Sequence, residues 1–203
     1  MTEKLLVATN NEGKLREYQN LLNGLPYELT TLAAEGIILE VDEVGSSLEE
    51  NAELKATVYA DRSGLLTLAD DSGLEVDALD GAPGPLSARY AGEGASDPER
   101  ITYLLSRLEG VPREKRTARF RCVIAVAETT GGVSLCEGEC RGYVTIEPHG
   151  KQGFGYDPVF YLPEMDKTMA ELPPETKNRI SHRSRAAQKA YQLLLKRTKR
   201  AKK

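Results

Sequence analysis

The stretch "TLADDSGLEVDALDGAPG", residues 67–84, sets two aspartates side by side at the end of an apolar run. Leu66, Leu68 and Ala69 read as a strand heading into a core. Asp70, Asp71, Ser72 and Gly73 follow, and Asp, Ser and Gly all favour turns for local reasons. The plain reading is a strand tip leading into a solvated turn. The competing reading is a strand that delivers a carboxylate pair to a site. Taken alone the stretch favours the turn; the rest of the chain shifts the balance.

Around this stretch, strand and helix patterns alternate early in the chain and strands cluster in the middle. "KLLVATNN" begins with a short β run over 4–9. Leu15, Tyr18, Leu21 and Leu22 then recur at helical spacing, until Gly24 and Pro26 stop the helix. "YELTTL" resembles a second strand. "SSLEENAELKATVYADRSG" predicts a helix opened by a capping box, either Ser46 with Glu49 or Ser47 with Glu50, with Leu48, Ala52, Ala56 and Tyr59 on one face. Beyond the Asp pair comes the Gly- and Pro-rich loop "GAPGPLSARYAGEGASDP", then a helix over about 97–108. Strands follow in "TARFRCVIAVAET" and "VSLCEGECRGYVTIE", and "GFGYDPVFYLPE" reads as a turn and strand. One last helix is expected after Pro173 and Pro174, with Ile180, Ala187, Ala190, Tyr191 and Leu194 on one face. No internal repeat and no long linker divides the chain. The pattern predicts an α/β or α+β body with a mixed sheet.

The bulk numbers bound what such a body does. A chain of 203 residues with 40% apolar and 29% charged content can bury a proper core. No apolar run is long enough to span a bilayer, and the N-terminus has no signal-peptide pattern, so a cytoplasmic protein with no membrane partner is expected. The three cysteines, Cys122, Cys136 and Cys140, form no disulfide framework, and His149 and His182 complete no zinc pattern with them; reduced thiols on or near strands are expected. The net charge of −4 conceals an asymmetry. The tail "KRTKRAKK", 196–203, is strongly basic and is expected to be disordered; without it the chain carries 21 basic and 31 acidic residues. An acidic body is a poor surface for a polyanion such as RNA. Clustered carboxylates can, however, hold a divalent cation that accepts phosphates.

Four local constellations carry chemistry. In "ATNNEGK" a strand ends and small residues lead Gly13 and Lys14 to a helix N-terminus, where free N–H groups and the Lys charge favour an anion. It is not a Walker A loop, because Ala8 and Leu15 occupy positions where that motif needs Gly and Ser or Thr. In "EVDEVGSSLEEN", Asp42 and Glu43 precede a helix whose first turns carry Glu49, Glu50 and Asn51, and Asn51 and Lys55 share a face. Acidic residues also suit a helix N-terminus for structural reasons alone. In "GFGYDPVF", an aromatic ring beside a carboxylate can stack on a base and accept from its ring N–H, or can be a core aromatic next to a turn aspartate. In "KNRISHRSRA", Lys177, His182, Arg183 and Arg185 gather donors that suit a keto oxygen, or make an ordinary basic helix face.

Read in order, "TNNEGK", "ENAELKA", "LADDSGLEVDAL", "GAPG", "SARYAG", "GFGYDPVF" and "SHRSRA" strongly resemble the inosine triphosphate pyrophosphatase family, also called the non-canonical purine nucleoside triphosphate pyrophosphatases or XTP/dITP diphosphatases. The resemblance covers nearly the whole chain except the basic tail. One departure is Asn10, where the family motif T-G-N-x-G-K has Gly; Asn tolerates unusual backbone angles better than most residues.

The resemblance implies an elongated α/β fold with a mixed sheet flanked by helices, two lobes and a central cleft, in one domain over 1–195, usually as a homodimer. It implies hydrolysis of ITP, dITP and XTP to the monophosphate and pyrophosphate. It assigns Mg²⁺ to Glu43 and Asp71, with Asp42 and Asp70 as near alternatives, and catalysis to Asp71 as base or orienter of the attacking water. It assigns substrate contacts to Thr9, Asn10, Asn11, Glu12, Gly13, Lys14, Lys55, Ser72, Phe154, Gly155, Tyr156, Asp157, Lys177, His182 and Arg183. In that family the donors near His182 and Arg183 would meet the 6-keto oxygen of hypoxanthine or xanthine and clash with the 6-amino group of adenine. Two other classes compete: a nucleotide-binding regulator without catalysis, and an RNA-associated protein using its tail. Intact Lys14, Glu43, Asp70 and Asp71 argue against the first, and a tail without aromatics against the second.

Overall fold

A computed structural model describes residues 2–201. The elements run β1 (Lys4–Val7), α1 (Glu12–Leu21), β2 (Glu28–Thr31), α2 (Leu48–Ser63), β3 (Leu66–Val76), α3 (Asp97–Arg107), β4 (Thr117–Ala127), β5 (Val133–Val144), β6 (Phe160–Leu162), β7 (Lys167–Thr168), α4 (Pro174–Ile180) and α5 (His182–Ala201). The seven strands form one sheet of order β2-β1-β3-β4-β5-β6-β7. β1 pairs in parallel with β2 and β3, as strands joined through helices α1 and α2 must. β6 pairs antiparallel with β5, across residues 145–159, and with β7, across the tight connection 163–166. The α/β class and the mixed sheet are therefore as the sequence predicts.

The chain divides into two compact units: residues 1–71, 122–138 and 183–203, and residues 72–121 and 139–182. In the first unit, alternation along the strands sorts side chains onto two faces. Leu5, Val7, Leu68, Cys122 and Ile124 pack with Tyr18 and Leu22 of α1 and with Ala187, Ala190 and Leu194 of α5. Leu6, Ala69, Val123 and Ala125 pack instead with Ala52, Ala56 and Tyr59 of α2. In the second unit, Leu74, Val76, Phe120, Val144 and Phe160 close over Ile101 and Leu104 of α3. The three cysteines are buried free thiols on β4 and β5. Among the described residues no helix is long and apolar enough to cross a membrane.

Four expectations change. The strand at the Asp pair does not end there: β3 continues through Asp70, Asp71, Ser72 and Gly73 to Val76, buried along most of its length. Gly73 is not a turn residue. A Cβ on it would collide with the Gly84 backbone carbonyl, so it is the bare point where the 81–87 segment crosses β3. The expected single C-terminal helix is two, because Ser181 is extended (φ −67°, ψ 158°) and separates α4 from α5. The N-cap of α2 is Ser47, whose side chain accepts from Glu50 N, while the Glu50 carboxylate reaches back to Ser46 rather than to the cap itself. Finally, the basic tail is helical through Ala201, because α5 continues and Arg197 bonds Glu3 and Tyr27; residues 202–203 lie outside the described residues.

The Gly73 crossing yields an expected outcome. Gly73→Ala should destabilise the protein by about 1–3 kcal/mol, the usual cost of forcing extra atoms into a packed contact, measured by equilibrium denaturation. An unchanged midpoint would mean that Gly84 moves aside freely.

Candidate active site

Two consecutive residues of a strand point to opposite faces, and this separates the aspartates. Asp70 lies among α1, α5 and β4. Its Oδ2 is 3.0 Å from Lys14 Nζ and 3.6 Å from Arg183 Nε. Cys122 Sγ approaches the same oxygen at 3.7 Å, and Tyr18 OH lies 3.9 Å behind that thiol. Arg183 is itself buried and donates to Glu17 Oε2 at 2.7 Å. Burial would push the Asp70 carboxyl up, but the charges of Lys14, Arg183 and Lys55 outweigh it and hold the group well below the ordinary carboxylate range. The same surroundings act in reverse on Cys122: burial, with the Asp70 charge adding to it, pushes the thiol up to about 12 and keeps it unreactive. Asp70 Oδ1 is buried with no hydrogen-bond partner among the described residues.

Asp71 faces α2. Its Oδ2 accepts from Asn51 Nδ2 at 3.0 Å, and Asn51 Oδ1 accepts from Gly45 N at 2.8 Å, so a wholly buried amide fixes the carboxylate. Asp71 Oδ1 is 3.7 Å from Lys55 Nζ, which also bonds the Glu43 carboxylate. One ammonium thus serves two carboxylates. Burial pushes the Asp71 carboxyl above its usual range; Lys55 opposes that and Glu43 reinforces it. Lys55 is raised although burial alone would lower it, because Asp71 and Glu43 both favour its charge. Among the described residues no group of three or more His, Cys, Asp or Glu could hold a metal. Glu43 and Asp71 nevertheless fit a cation that needs one or two carboxylates and takes its other ligands from phosphate and water. They already converge on one ammonium, Lys55, so two carboxylates share a single positive charge.

The loop after β1 completes this unit. Asn11 caps α1, its Oδ1 accepting from Lys14 N at 3.0 Å, and Asn11 N donates to Thr9 Oγ1 at 3.2 Å. Asn10, Asn11 and Glu12 are exposed, and Thr9, Gly13 and Lys14 half-buried. Asn10 does not have a positive φ, so the usual glycine position is occupied here without backbone strain. Asp42 is exposed, whereas Glu43 is drawn to Lys55.

The second unit holds the aromatic constellation. Asp157 is buried; its Oδ2 accepts from Phe154 N at 3.0 Å and from Lys177 Nζ at 2.6 Å. The ammonium lies 4.5 Å from the Phe154 ring centroid, a cation–π contact. A Cβ on Gly153, at φ +78°, would strike the Asp157 carboxylate, so the loop wraps that group closely. Tyr156 turns away from this group: its ring is in the core and its OH donates to Ser87 O at 2.9 Å. Its side chain is therefore an anchor, and burial holds its hydroxyl above the ordinary phenol range. His182 is buried and stacks on Phe120, centroids 4.7 Å apart and planes at 16°.

The first unit thus gathers Thr9–Lys14, Glu43, Lys55, Asp71 and Arg183, and the second Phe154–Asp157, Lys177 and His182, with half-buried Ser72 as its first residue. Asn51, Glu17, Tyr18 and Cys122 were not identified from sequence as site residues. For Asn51 the only signal was its place one turn before Lys55. Glu17 meets Arg183 across 166 residues, and nothing local announces that pairing.

Residues 5–193 match the profile of the Ham1 family. The chain is 51% identical over 191 residues to the dITP/XTP pyrophosphatase of Desulforamulus reducens, covering 94% of this chain and 95% of that one. It is 54% identical over 183 residues to the dITP/XTP pyrophosphatase of Geobacter sulfurreducens, covering 90% and 92%. Among solved structures, a HAM1 protein from Coxiella burnetii superposes with TM-score 0.88 at 42% identity over 96% of this chain and 99% of that one. The Staphylococcus aureus Ham1 protein gives 0.87 at 38% over 96% and 100%.

The opposite environments of the aspartates predict opposite effects in the metal-free protein. Asp70 has a depressed folded pKa, so its contribution is present above the unfolded carboxyl value of about 3.9 and is lost as pH falls through the folded value. Asp70→Asn should cost about 3–5 kcal/mol at pH 7, the usual penalty for breaking a buried pair, and the deficit should fade in acid. Asp71 has a raised folded pKa, so its contribution is present below about pH 3.9 and lost as pH rises through the folded value. Asp71→Asn should therefore raise Tm at pH 7. Thermal melts of both variants between pH 3 and 7 check the pair, and a loss of Tm at pH 7 in both contradicts it.

Proposed function

The chain belongs to the Ham1 family, and we propose that it hydrolyses non-canonical purine nucleoside triphosphates, dITP and XTP with ITP, to the monophosphate and pyrophosphate. The resemblance read from the motifs is borne out by relatives at 45–54% identity over most of the chain. The observation that carries the activity is the arrangement at β3: a buried carboxylate oriented by Asn51, sharing one ammonium with Glu43, beside a helix N-terminus with Lys14.

In this reading Lys14, Lys55 and the 9–13 loop hold the phosphate oxygens, with Ser72 next to the carboxylates. Glu43 and Asp71, which now share Lys55, would hold a divalent cation, Mg²⁺, with the substrate phosphates supplying further ligands. Bound there, it would neutralise charge on the phosphates and lower the pKa of the attacking water. Asp71 orients the water that attacks the α-phosphorus and accepts its proton. Asn51 keeps one Asp71 oxygen occupied, so the other faces the reaction. Asp70, committed to Lys14 and Arg183, holds the cations in place rather than the metal. Phe154, with Gly155 and the Tyr156 backbone beside it, stacks on the purine, Asp157 and Lys177 bond its edge, and His182 with Arg183 reads the 6-keto oxygen. A homodimer and the cytoplasm complete the proposal.

Pyrophosphate release from ITP, XTP, dITP, GTP and ATP with Mg²⁺ tests it; preference for ATP would refute it. Asp71→Asn should nearly abolish turnover in a folded protein, and a normal kcat there removes Asp71 from the chemistry. Lys14→Ala should raise KM at low salt, and the defect should shrink as salt screens the ionic contact; an unmoved KM denies it the phosphate. Arg183→Ala should lower kcat/KM for ITP and narrow the ITP-to-ATP ratio, because only the keto base loses a donor. Equal slowing of both substrates would instead leave Arg183 as the partner of Glu17 and Asp70 alone.

A further inference from the structure

The motif "SARYAG" and the start of α3 have no part in the reading above, yet both lead to the loop that carries Phe154 and Asp157. Asp97 opens α3 after Ser96, whose hydroxyl and N–H form a capping box with Glu99. Its two carboxylate oxygens have separate duties. Oδ2 accepts from Gly155 N at 2.6 Å, and Oδ1 takes the Arg100 guanidinium. Arg100 Nη1 donates to Ala88 O at 2.7 Å and to Ala95 O at 2.7 Å. Ala88 is the second residue of that motif. The first, Ser87, gives its carbonyl to Tyr156 OH, and the Ser87 hydroxyl accepts from Leu74 N at 2.9 Å. Adjacent carbonyls of one segment therefore anchor the loop twice: through Tyr156 directly, and through Arg100 and Asp97 to Gly155.

The chemistry is strong where precision is needed. A backbone N–H bonded to a carboxylate is a charge-assisted contact. Gly155 has φ +61°, so nothing intrinsic to its own backbone holds it in one conformation. The guanidinium is planar with its donors in a fixed fork, so it fixes Asp97 relative to two loop carbonyls at once. Both side chains are only partly exposed.

We propose that Asp97 and Arg100 form a clasp that positions the Phe154–Asp157 loop for the purine base. They are positioning residues: they act through Gly155 N and touch neither phosphate nor metal. This rests on the reading that Phe154 and Asp157 hold the base. The clasp then sets affinity for the base and leaves the phosphate chemistry alone.

The test measures KM and kcat for ITP and the inhibition constant of inorganic pyrophosphate, a product without a base. Asp97→Ala and Arg100→Ala should each raise KM about tenfold, the scale of a hydrogen bond to a charged group. kcat and pyrophosphate inhibition should stay near wild type. The double variant should be hardly worse than either single one, because the two residues act as a unit. Arg100→Ala keeps the Gly155 acceptor, so it carries the test if Asp97→Ala fails to fold. Two results overturn the clasp: an unchanged KM, or KM and pyrophosphate inhibition weakening together. Phe154→Ala is the control. If it leaves KM for ITP unmoved, the base reading itself fails; if it raises KM while the clasp variants do not, only the clasp fails.

Discussion

Desolvating an ionised carboxylate costs several kcal/mol unless charge and hydrogen bonds replace the lost water, and β3 buries two in succession. Strand geometry sends them to opposite faces, so each must be compensated by different elements. Asp70 has a lysine and an arginine at 3.0 and 3.6 Å. Asp71 has an amide and part of one ammonium, whose other part belongs to Glu43. Positive charge is thus ample on one face and scarce on the other. On the first face two cations meet Asp70, and one of them, Arg183, also pairs with Glu17. On the second, two carboxylates share one ammonium, so neighbouring residues of one type have different surroundings.

The helices around β3 follow from that division. α1 supplies Lys14 and Glu17 from successive turns of one helix, so a single element brings a cation to Asp70 and an anion to Arg183. α5 supplies Arg183 at its first turn because Ser181 breaks the preceding helix. α2 supplies Asn51 and Lys55 four residues apart. Its inward residues Ala52 and Ala56 are small. In the second unit one carboxylate, Asp157, likewise receives both a backbone N–H and an ammonium.

Much of this was legible in the residues. Helix α2 declared itself through a serine cap and helical spacing, and Lys14 and Lys55 stood next to recognisable acidic or N-terminal signals. The order of the motifs identified the family. What could not be read locally depended on partners far along the chain. Gly73 after two aspartates looks like a turn because Gly84, the reason for the glycine, reaches it only through the fold. Tyr156 sits in a motif of ligand-like residues, and its inward rotation is decided by the Ser87 carbonyl. Arg183 and His182 look like one basic pair, but one meets Glu17 and the other Phe120. The tail composition suggested disorder, whereas helix propagation from α5 and a partner at Glu3 decided otherwise.

The first unit is assembled from three separated stretches of chain, and the last of them begins at Arg183. On a ribosome, β1, α1 and β3 are made long before α5. Until α5 arrives, the hydrophobic face of Leu5, Val7, Leu68 and Tyr18 has no cover from Ala187, Ala190 and Leu194, and Asp70 has Lys14 but not its arginine. Before α5 is made, neither the apolar cover nor the arginine of that face exists. The cover for that face is the last part of the unit to be synthesised. Contacts of such long sequence separation make folding slow relative to a fold closed by local pairs, and they leave the emerging chain dependent on whatever shields apolar surface in the meantime.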